Sequence, residues 1–210
     1  MAKGGLFAVM DFSAVPEDEF NDWYDTEHLP ERQRIAGFSA CERWIGADNP
    51  KLSVGSYDLD SAEVLNSPAY KAISGDNASP WSKRITGKCK RMMRVSADQI
   101  FPGGAAAPAN AGGFLINAYN VAPEHEAEIR EWSIKEHLPA LAAVDGALSA
   151  RLFISPGGSH RFMTVYHLAS PEVQASPAWK KAAGTPWTAK MLPLIRDRLR
   201  VVCRRYVRAK

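Results

Sequence analysis

The spacing of apolar residues near the start of the chain predicts a strand followed by an amphipathic helix. The run GLFAVMDFS (5–13) is rich in β-forming residues and begins at a glycine, which favours a strand. Proline and acidic residues, which suit a first helical turn, open the next run, PEDEFNDWYDTEH (16–28). Phe20 and Trp23 then fall on one helical face. Because the residue before a proline avoids helical geometry, the helix is predicted to end just before Pro30.

The same pattern returns later in the chain. GFLINAYNV (113–121) predicts a strand, and PEHEAEIREWSIKEH (123–137) predicts a helix. In both places a glycine, Gly37 or Gly146, then precedes two β-rich runs joined by a turn, which indicates a hairpin. A broken helical region and a final strand complete each pattern. The order β-α-β-β-α-β is that of the ferredoxin-like split βαβ unit.

A shift of 109 positions superimposes the two patterns residue by residue. The matched residues include Trp23 and Trp132, His28 and His137, Gly37 and Gly146, Tyr57 and Tyr166, and the strings SPAYK and SPAWK. We interpret this as an internal duplication, with one unit in residues 1–100 and a second in 113–210. Residues 101–112 are mostly Gly, Ala and Pro, which is typical of a linker.

The predicted fold is therefore α+β. A ferredoxin-like unit carries its helices on one face of an antiparallel sheet, so the bare face must be covered. We expect the two units, called the first and second half below, to pack sheet to sheet and form an intramolecular α/β barrel.

Composition narrows the function classes. The chain has 46% hydrophobic and 23% charged residues, and no apolar run approaches the ~20 residues that cross a membrane. No signal peptide is recognisable, and three widely spaced cysteines argue against a disulfide framework, so a cytoplasmic location is expected. Residues 196–210 hold seven Arg or Lys against one Asp, which is typical of a solvated face. The strands lack the aromatic pattern of RNA-recognition motifs, so no nucleic-acid partner is expected.

The string W-Y-x-x-E-H-L-P, the Gly-Phe that follows it and the late S-P-A-Y…S-P-W segment resemble the EthD-like branch of the dimeric α/β-barrel superfamily. The resemblance covers nearly the whole chain twice. It implies a barrel made by one chain and a small, often aromatic substrate bound between sheet and helices. It also implies proton transfer by histidine without a metal or organic cofactor, although haem-handling relatives leave haem open.

His28 and His137 are the leading catalytic candidates. A helix C-terminus and the preceding glutamates should favour imidazolium, which suits proton exchange near neutral pH. The structural alternative is that each ring only caps the last helical carbonyls. Both patterns keep the histidine while their neighbours differ, which does not decide between these readings.

The first half is favoured as the reactive one because it offers a base, an orienting carboxylate and a hydroxyl donor together. The predicted catalytic residues are His28, Tyr24, Asp25, Tyr57 and His137. The predicted substrate-binding residues are Trp23, Arg43, Asp58, Trp81, Tyr166 and His167. For the tryptophans and tyrosines, burial in the sheet–helix core is the competing interpretation. The histidines lack metal-ligand spacing, so no metal is expected.

These residues predict a cofactor-independent isomerase, cyclase or lyase that moves a proton on a small aromatic or polyketide-like molecule. The alternatives are a barrel that only binds a hydrophobic ligand and an EthD-like cofactor-free oxygenase. Two fused chains could also pair as a homodimer.

Overall fold

A computed structural model describes residues 4–208. The strands are β1 (Gly4–Asp11), β2 (Phe38–Gly46), β3 (Leu52–Leu59), β4 (Lys90–Phe101), β5 (Gly113–Asn120), β6 (Ala147–Ile154), β7 (Phe162–Leu168) and β8 (Arg196–Arg205). The α-helices are α1 (Glu17–Trp23), α2 (Leu29–Gln33), α3 (Pro68–Lys71), α4 (Pro80–Lys88), α5 (Glu126–Trp132), α6 (Leu138–Ala142), α7 (Pro177–Ala183) and α8 (Pro186–Met191). The protein is thus α+β, as predicted.

The eight strands form one antiparallel sheet that closes into a barrel in the order β1-β3-β2-β8-β5-β7-β6-β4. Strands β1–β4 come from the first half and β5–β8 from the second. The sequence predicted that the two sheets cover each other. In the structure the strands of both halves belong to one closed sheet, in which β2 hydrogen-bonds to β8 and β4 to β6.

Alternation along the strands divides the apolar residues between two kinds of core. One set fills the barrel, with Trp44 and Phe114 stacked at 5.1 Å between ring centroids. The residues that alternate with this set face the helices outside the barrel, in three further clusters. Adjacent residues of a strand therefore serve opposite sides of the sheet.

The first helix does not end before its proline, contrary to the prediction. A π-helical turn, Tyr24–His28, follows α1 and leads directly into α2, and the second half repeats this with Ser133–His137. A prolyl ring clashes with the carbonyl four residues earlier in a regular helix. The wider π turn relieves that clash, and π turns of this kind are frequent at functional sites.

The segment between β4 and β5 is more firmly anchored than its composition predicted. The Ala107 amide donates to Asp58 at 2.7 Å, and the Ala111 carbonyl accepts from Arg205 Nε at 2.6 Å. Ala111 itself is buried in the barrel core. The segment therefore packs against side chains that point into the barrel.

Buried charges inside the barrel link the two halves. Asp58 on β3 pairs with Arg151 on β6 at 2.8 Å, and both side chains are almost fully buried. Glu42 on β2 contacts His167 on β7 at 2.8 Å and Arg205 on β8 at 2.9 Å. Each of these contacts joins one half to the other, so they add to the edge pairing of the strands.

Within residues 4–208, no helix combines the length and apolar character needed to cross a membrane.

Candidate functional site

Each half has a cavity between the outer face of its sheet and its helices. The first cavity, of about 380 Å³, is lined by residues that include His28, Tyr57 and Tyr70. The second, of about 330 Å³, is lined by the matched His137, Tyr166 and Trp179 among others. Both volumes lie in the range of small-molecule pockets, roughly 300–1,000 Å³.

The tryptophan and glutamate of the repeated motif hold a neighbouring helix in place. Trp23 Nε1 donates to Ser82 Oγ at 2.9 Å, and Glu27 Oε1 accepts from Ser82 at 2.9 Å and from Ser79 at 2.5 Å. Ser79 also caps the first turn of α4. Trp132 and Glu136 make equivalent contacts with Thr188 and Thr185 at the start of α8. Both tryptophans are buried, so the contacts of Trp and Glu account for their recurrence.

Replacing Ser82 by alanine should therefore lower the free energy of unfolding by about 1–3 kcal/mol, because it leaves the buried Trp23 Nε1 without an acceptor. Ser82→Thr is the matched control, since Thr188 occupies this position in the second half. Its free energy of unfolding should lie within about 1 kcal/mol of the wild-type value. Urea denaturation of both variants measures this. Equal stability of the alanine variant and the wild type would contradict the anchoring role.

The histidines of the motif are not explained in this way. His28 and His137 pack on their tryptophans, with ring centroids 4.4 Å and 4.3 Å apart. The Nδ1 atom of each is buried and has no hydrogen-bond partner among residues 4–208. Neither ring caps a helix end, because the helix continues through α2 or α6.

The expectation that these rings favour imidazolium is wrong. Burial lowers the pKa of His137 to about 4, and the nearby Arg198 adds to the effect. Burial, Arg32, Arg43 and Arg94 lower the pKa of His28 well below its usual value. The glutamate next to each histidine is hydrogen-bonded to the residue that caps α4 or α8. The helix continues past the histidine, so the negative end of its dipole does not lie at the ring. Both rings are therefore neutral at pH 7 and able to accept a proton.

The tyrosines of the two cavities differ in their partners. In the first half the hydroxyls of Tyr24 and Tyr57 lie 3.0 Å apart and hydrogen-bond to each other. Gly55 makes room for this pair, because a Cβ there would lie 2.6 Å from the Tyr24 hydroxyl. In the second half, serine and threonine replace Tyr24 and Gly55. The buried hydroxyl of Tyr166 makes no hydrogen bond of normal geometry among the described residues, although Thr164 lies near enough to oppose the rise in its pKa that burial causes.

Two further groups complete the second cavity, and sequence reasoning missed both. Tyr119 matches Met10 in the first half. Its buried hydroxyl also makes no hydrogen bond of normal geometry within residues 4–208, although Ser133 lies near enough to affect its pKa. Arg198 is an exposed residue that lines the cavity. It belongs to the basic stretch 196–210, which the sequence analysis interpreted only as a solvated face. Burial raises the pKa of Tyr119 to about 12, so this phenol stays protonated as a hydrogen-bond donor at neutral pH. The sequence offered one signal for Tyr119: under the 109-residue shift it is aligned with an apolar residue, so its hydroxyl is a polar group that the first half lacks at this position.

Several predicted site residues lie elsewhere. Asp25 pairs with Arg43 at 3.1 Å, and the Arg43 guanidinium stacks 3.7 Å from the ring centre of Tyr206 and 4.5 Å from that of Tyr24. This cluster does not contribute to the lining of the first cavity.

Asp58 and His167 point into the barrel, on the opposite side of the sheet from the cavities. Trp81 packs partly buried beside α1 and does not line the first cavity. Trp23 belongs to the same buried core. Of the predicted residues, the structure brings His28 and Tyr57 together in one cavity and His137 and Tyr166 together in the other.

The resemblance left haem open, and the histidines do not provide a metal ligand of the usual kind. A metal-bound histidine almost always donates its second ring N–H to a carboxylate, carbonyl or water. Nδ1 of His28 and of His137 is buried with no such group among residues 4–208. No group of three or more His, Cys, Asp or Glu side chains in the described part of the chain could hold a metal ion.

Known structures share this architecture at low sequence identity. An anthrone oxidase-like protein matches with a TM-score of 0.66 and 12% identity, over 98% of this chain and 92% of its own. A proposed monooxygenase of Fusobacterium nucleatum gives 0.61 and 11%, over 96% and 92%. A chlorite dismutase mutant from Candidatus Nitrospira defluvii gives 0.62 and 13%, over 98% and 91%. No protein-family model and no curated protein matches the sequence. At these identities the likeness shows the ferredoxin-like α+β fold alone.

Proposed function

We propose that the chain is a cofactor-free enzyme that removes a proton from a small aromatic molecule bound in the second cavity. The observation that carries this proposal is that His137, Tyr166 and Tyr119 line one cavity, and that each has a buried polar atom without a hydrogen bond in residues 4–208. Buried polar groups are normally hydrogen-bonded, and those left unsatisfied in a cavity are candidates for ligand contact. The first cavity has its tyrosine hydroxyl already occupied by Tyr24.

The chemistry follows from the state of each group. Neutral His137 accepts a proton from a carbon next to a ketone or from a phenol. The protonated hydroxyls of Tyr166 and Tyr119 donate to the oxygen on which negative charge develops, and the positive charge of Arg198 stabilises it. Trp179 and Leu115 supply the apolar wall that an aromatic ring needs. Isomerisation, cyclisation and bond cleavage can all begin with this step.

An oxygenase reaction is the second candidate, and the fold shared with an anthrone oxidase-like protein favours it. Loss of the C10 proton from anthrone gives a resonance-stabilised anion that can react directly with dioxygen. The balanced reaction is anthrone plus O₂ giving anthraquinone plus water, in which anthrone is oxidised and O₂ is reduced. No step needs a metal or an organic cofactor.

Anthrone in D₂O tests the proton-transfer step apart from later chemistry. Under anaerobic conditions, NMR should show deuterium entering C10 faster with the protein than in buffer. Oxygen uptake and anthraquinone formation in air would select the oxygenase. Saturable binding without exchange would instead support the alternative of a barrel that only binds its ligand.

The rate of proton abstraction should be flat from about pH 6 to 8 and fall at lower pH, with an apparent pKa near 4. The reason is that His137 must be neutral to accept a proton, and its pKa is lowered to about 4 by burial. The pH profile of C10 exchange, with buffer exchange subtracted, measures this. A profile with a midpoint between pH 6 and 7 would point to a different base.

We also propose that the chain consists of two duplicated EthD-like units, 1–100 and 113–210, and that it acts in the cytoplasm. The partner in this proposal is a small aromatic substrate and not a nucleic acid. Measurement of the mass in solution would show whether the fused chain forms a homodimer.

A further inference from the structure

The first cavity has a buried positive charge in its lining, and the second cavity does not. Arg32 lines it and is only 7% exposed. Lys83, Arg91 and Arg94 line the same cavity and are exposed. No Asp or Glu among the described residues lines it. The cavity is therefore strongly positive, and one of its cations is buried.

The contacts of these cations leave donors free for a ligand. Arg32 uses Nη1 for the His28 carbonyl, at 2.8 Å, and for Glu31, at 3.0 Å. The other nitrogens of Arg32 make no hydrogen bond within residues 4–208. Arg94 Nη2 donates to the Tyr70 hydroxyl at 2.7 Å, and Lys83 donates to a backbone carbonyl. Glu31 is thus the one carboxylate paired with a cation of this cavity in the described chain.

The matched position in the second cavity separates the two sites. Leu141, in the second half, stands where Arg32 stands in the first. The second cavity has cations, among them Arg198 and Arg200, but they are exposed residues, and its lining includes Trp132 and Leu141. A buried guanidinium thus distinguishes the first cavity from the second.

We propose that the first cavity is a second ligand site, specific for an aromatic carboxylate. The planar guanidinium of Arg32 would take the carboxylate, for which its paired donors are suited. The ring of the ligand would lie among Leu6, Met10 and Tyr57, which line the same cavity. The combination of apolar wall and buried cation selects an amphipathic anion over a free inorganic one. This site does not depend on the proposed reaction in the second half.

Calorimetric titration with 2-naphthoate and its neutral isostere 2-naphthamide tests the assignment. The wild type should bind naphthoate more tightly than naphthamide. In Arg32→Leu, which copies the matched residue of the second half, naphthoate affinity should fall about tenfold or more, while naphthamide affinity changes less than about twofold. Arg32→Lys keeps the charge without the planar fork and should lose less affinity than Arg32→Leu.

Circular dichroism shows whether each variant is folded. If Arg32→Leu does not fold, the test uses the affinities of Arg32→Lys instead. Equal affinity of the wild type for naphthoate and naphthamide would overturn the proposal. So would unchanged naphthoate binding in the leucine variant, because the anion would then be bound elsewhere. A parallel loss for both ligands would show that Arg32 only shapes the cavity, and this also overturns it.

Discussion

Replacing His137 by glutamine is expected to slow proton abstraction in the second cavity by about 10²–10⁴-fold, the usual contribution of a general base. Glutamine keeps a polar side chain of similar length but cannot accept a proton near neutral pH. The rate of C10–H exchange of anthrone in D₂O measures the loss directly. Binding of anthrone should change much less, because Trp179 and Leu115 remain in place.

Two control substitutions, one of them at the matched position, make this result specific. His28→Gln makes the same substitution at the matched position of the first half, and it should cost far less than His137→Gln. His125→Gln is a general control, because this residue lines neither cavity. A larger loss in the His28 variant would move the reaction to the first half, which sequence analysis favoured. Full activity of the His137 variant would exclude this residue as the base.

Replacing Asp58 by alanine is expected to lower the free energy of unfolding by about 3–5 kcal/mol, the usual cost of removing one partner of a buried ion pair. The change leaves the Arg151 guanidinium, 1% exposed, without its carboxylate inside the barrel. It also removes the acceptor for the Ala107 amide, which anchors the segment between the halves. Urea denaturation followed by circular dichroism measures the effect.

Asp60→Ala is the matched control, because Asp60 is exposed just beyond the end of β3. Its side chain has no ion-pair partner within residues 4–208, so we expect a change within about 0.5 kcal/mol. If the two variants were equally stable, the Asp58–Arg151 pair would not contribute to holding the halves together. A change in the slope of the denaturation curve for the Asp58 variant alone would indicate that the halves no longer unfold together.

The order of elements was predictable because the apolar spacing changes from two to between three and four at each strand–helix boundary. The burial of Asp58 was also within reach of the sequence. Tyr57 and Asp58 are adjacent on one strand, so their side chains must point to opposite faces of the sheet. Placing both in one pocket overlooked that alternation. His167 was misplaced for the same reason, since it follows Tyr166.

Other features depend on tertiary contacts that no local pattern encodes. The π turn before Pro30 lets the helix continue where a local rule predicted its end. The free hydroxyl of Tyr166 results from the exchange of Tyr24 and Gly55 for Ser133 and Thr164. These two positions are distant in sequence and meet only when the helix packs on the sheet.

A crystal structure of the chain with anthraquinone bound would show directly whether the second cavity is the reactive site. We expect the ring to lie in the second cavity against Trp179, with one carbonyl oxygen about 2.6–3.2 Å from the hydroxyl of Tyr166 or Tyr119. The His137 ring should face the opposite side of the ligand's central ring. A ligand bound outside this cavity, or a His137 ring directed away from it, would exclude His137 as the base that acts on this ligand.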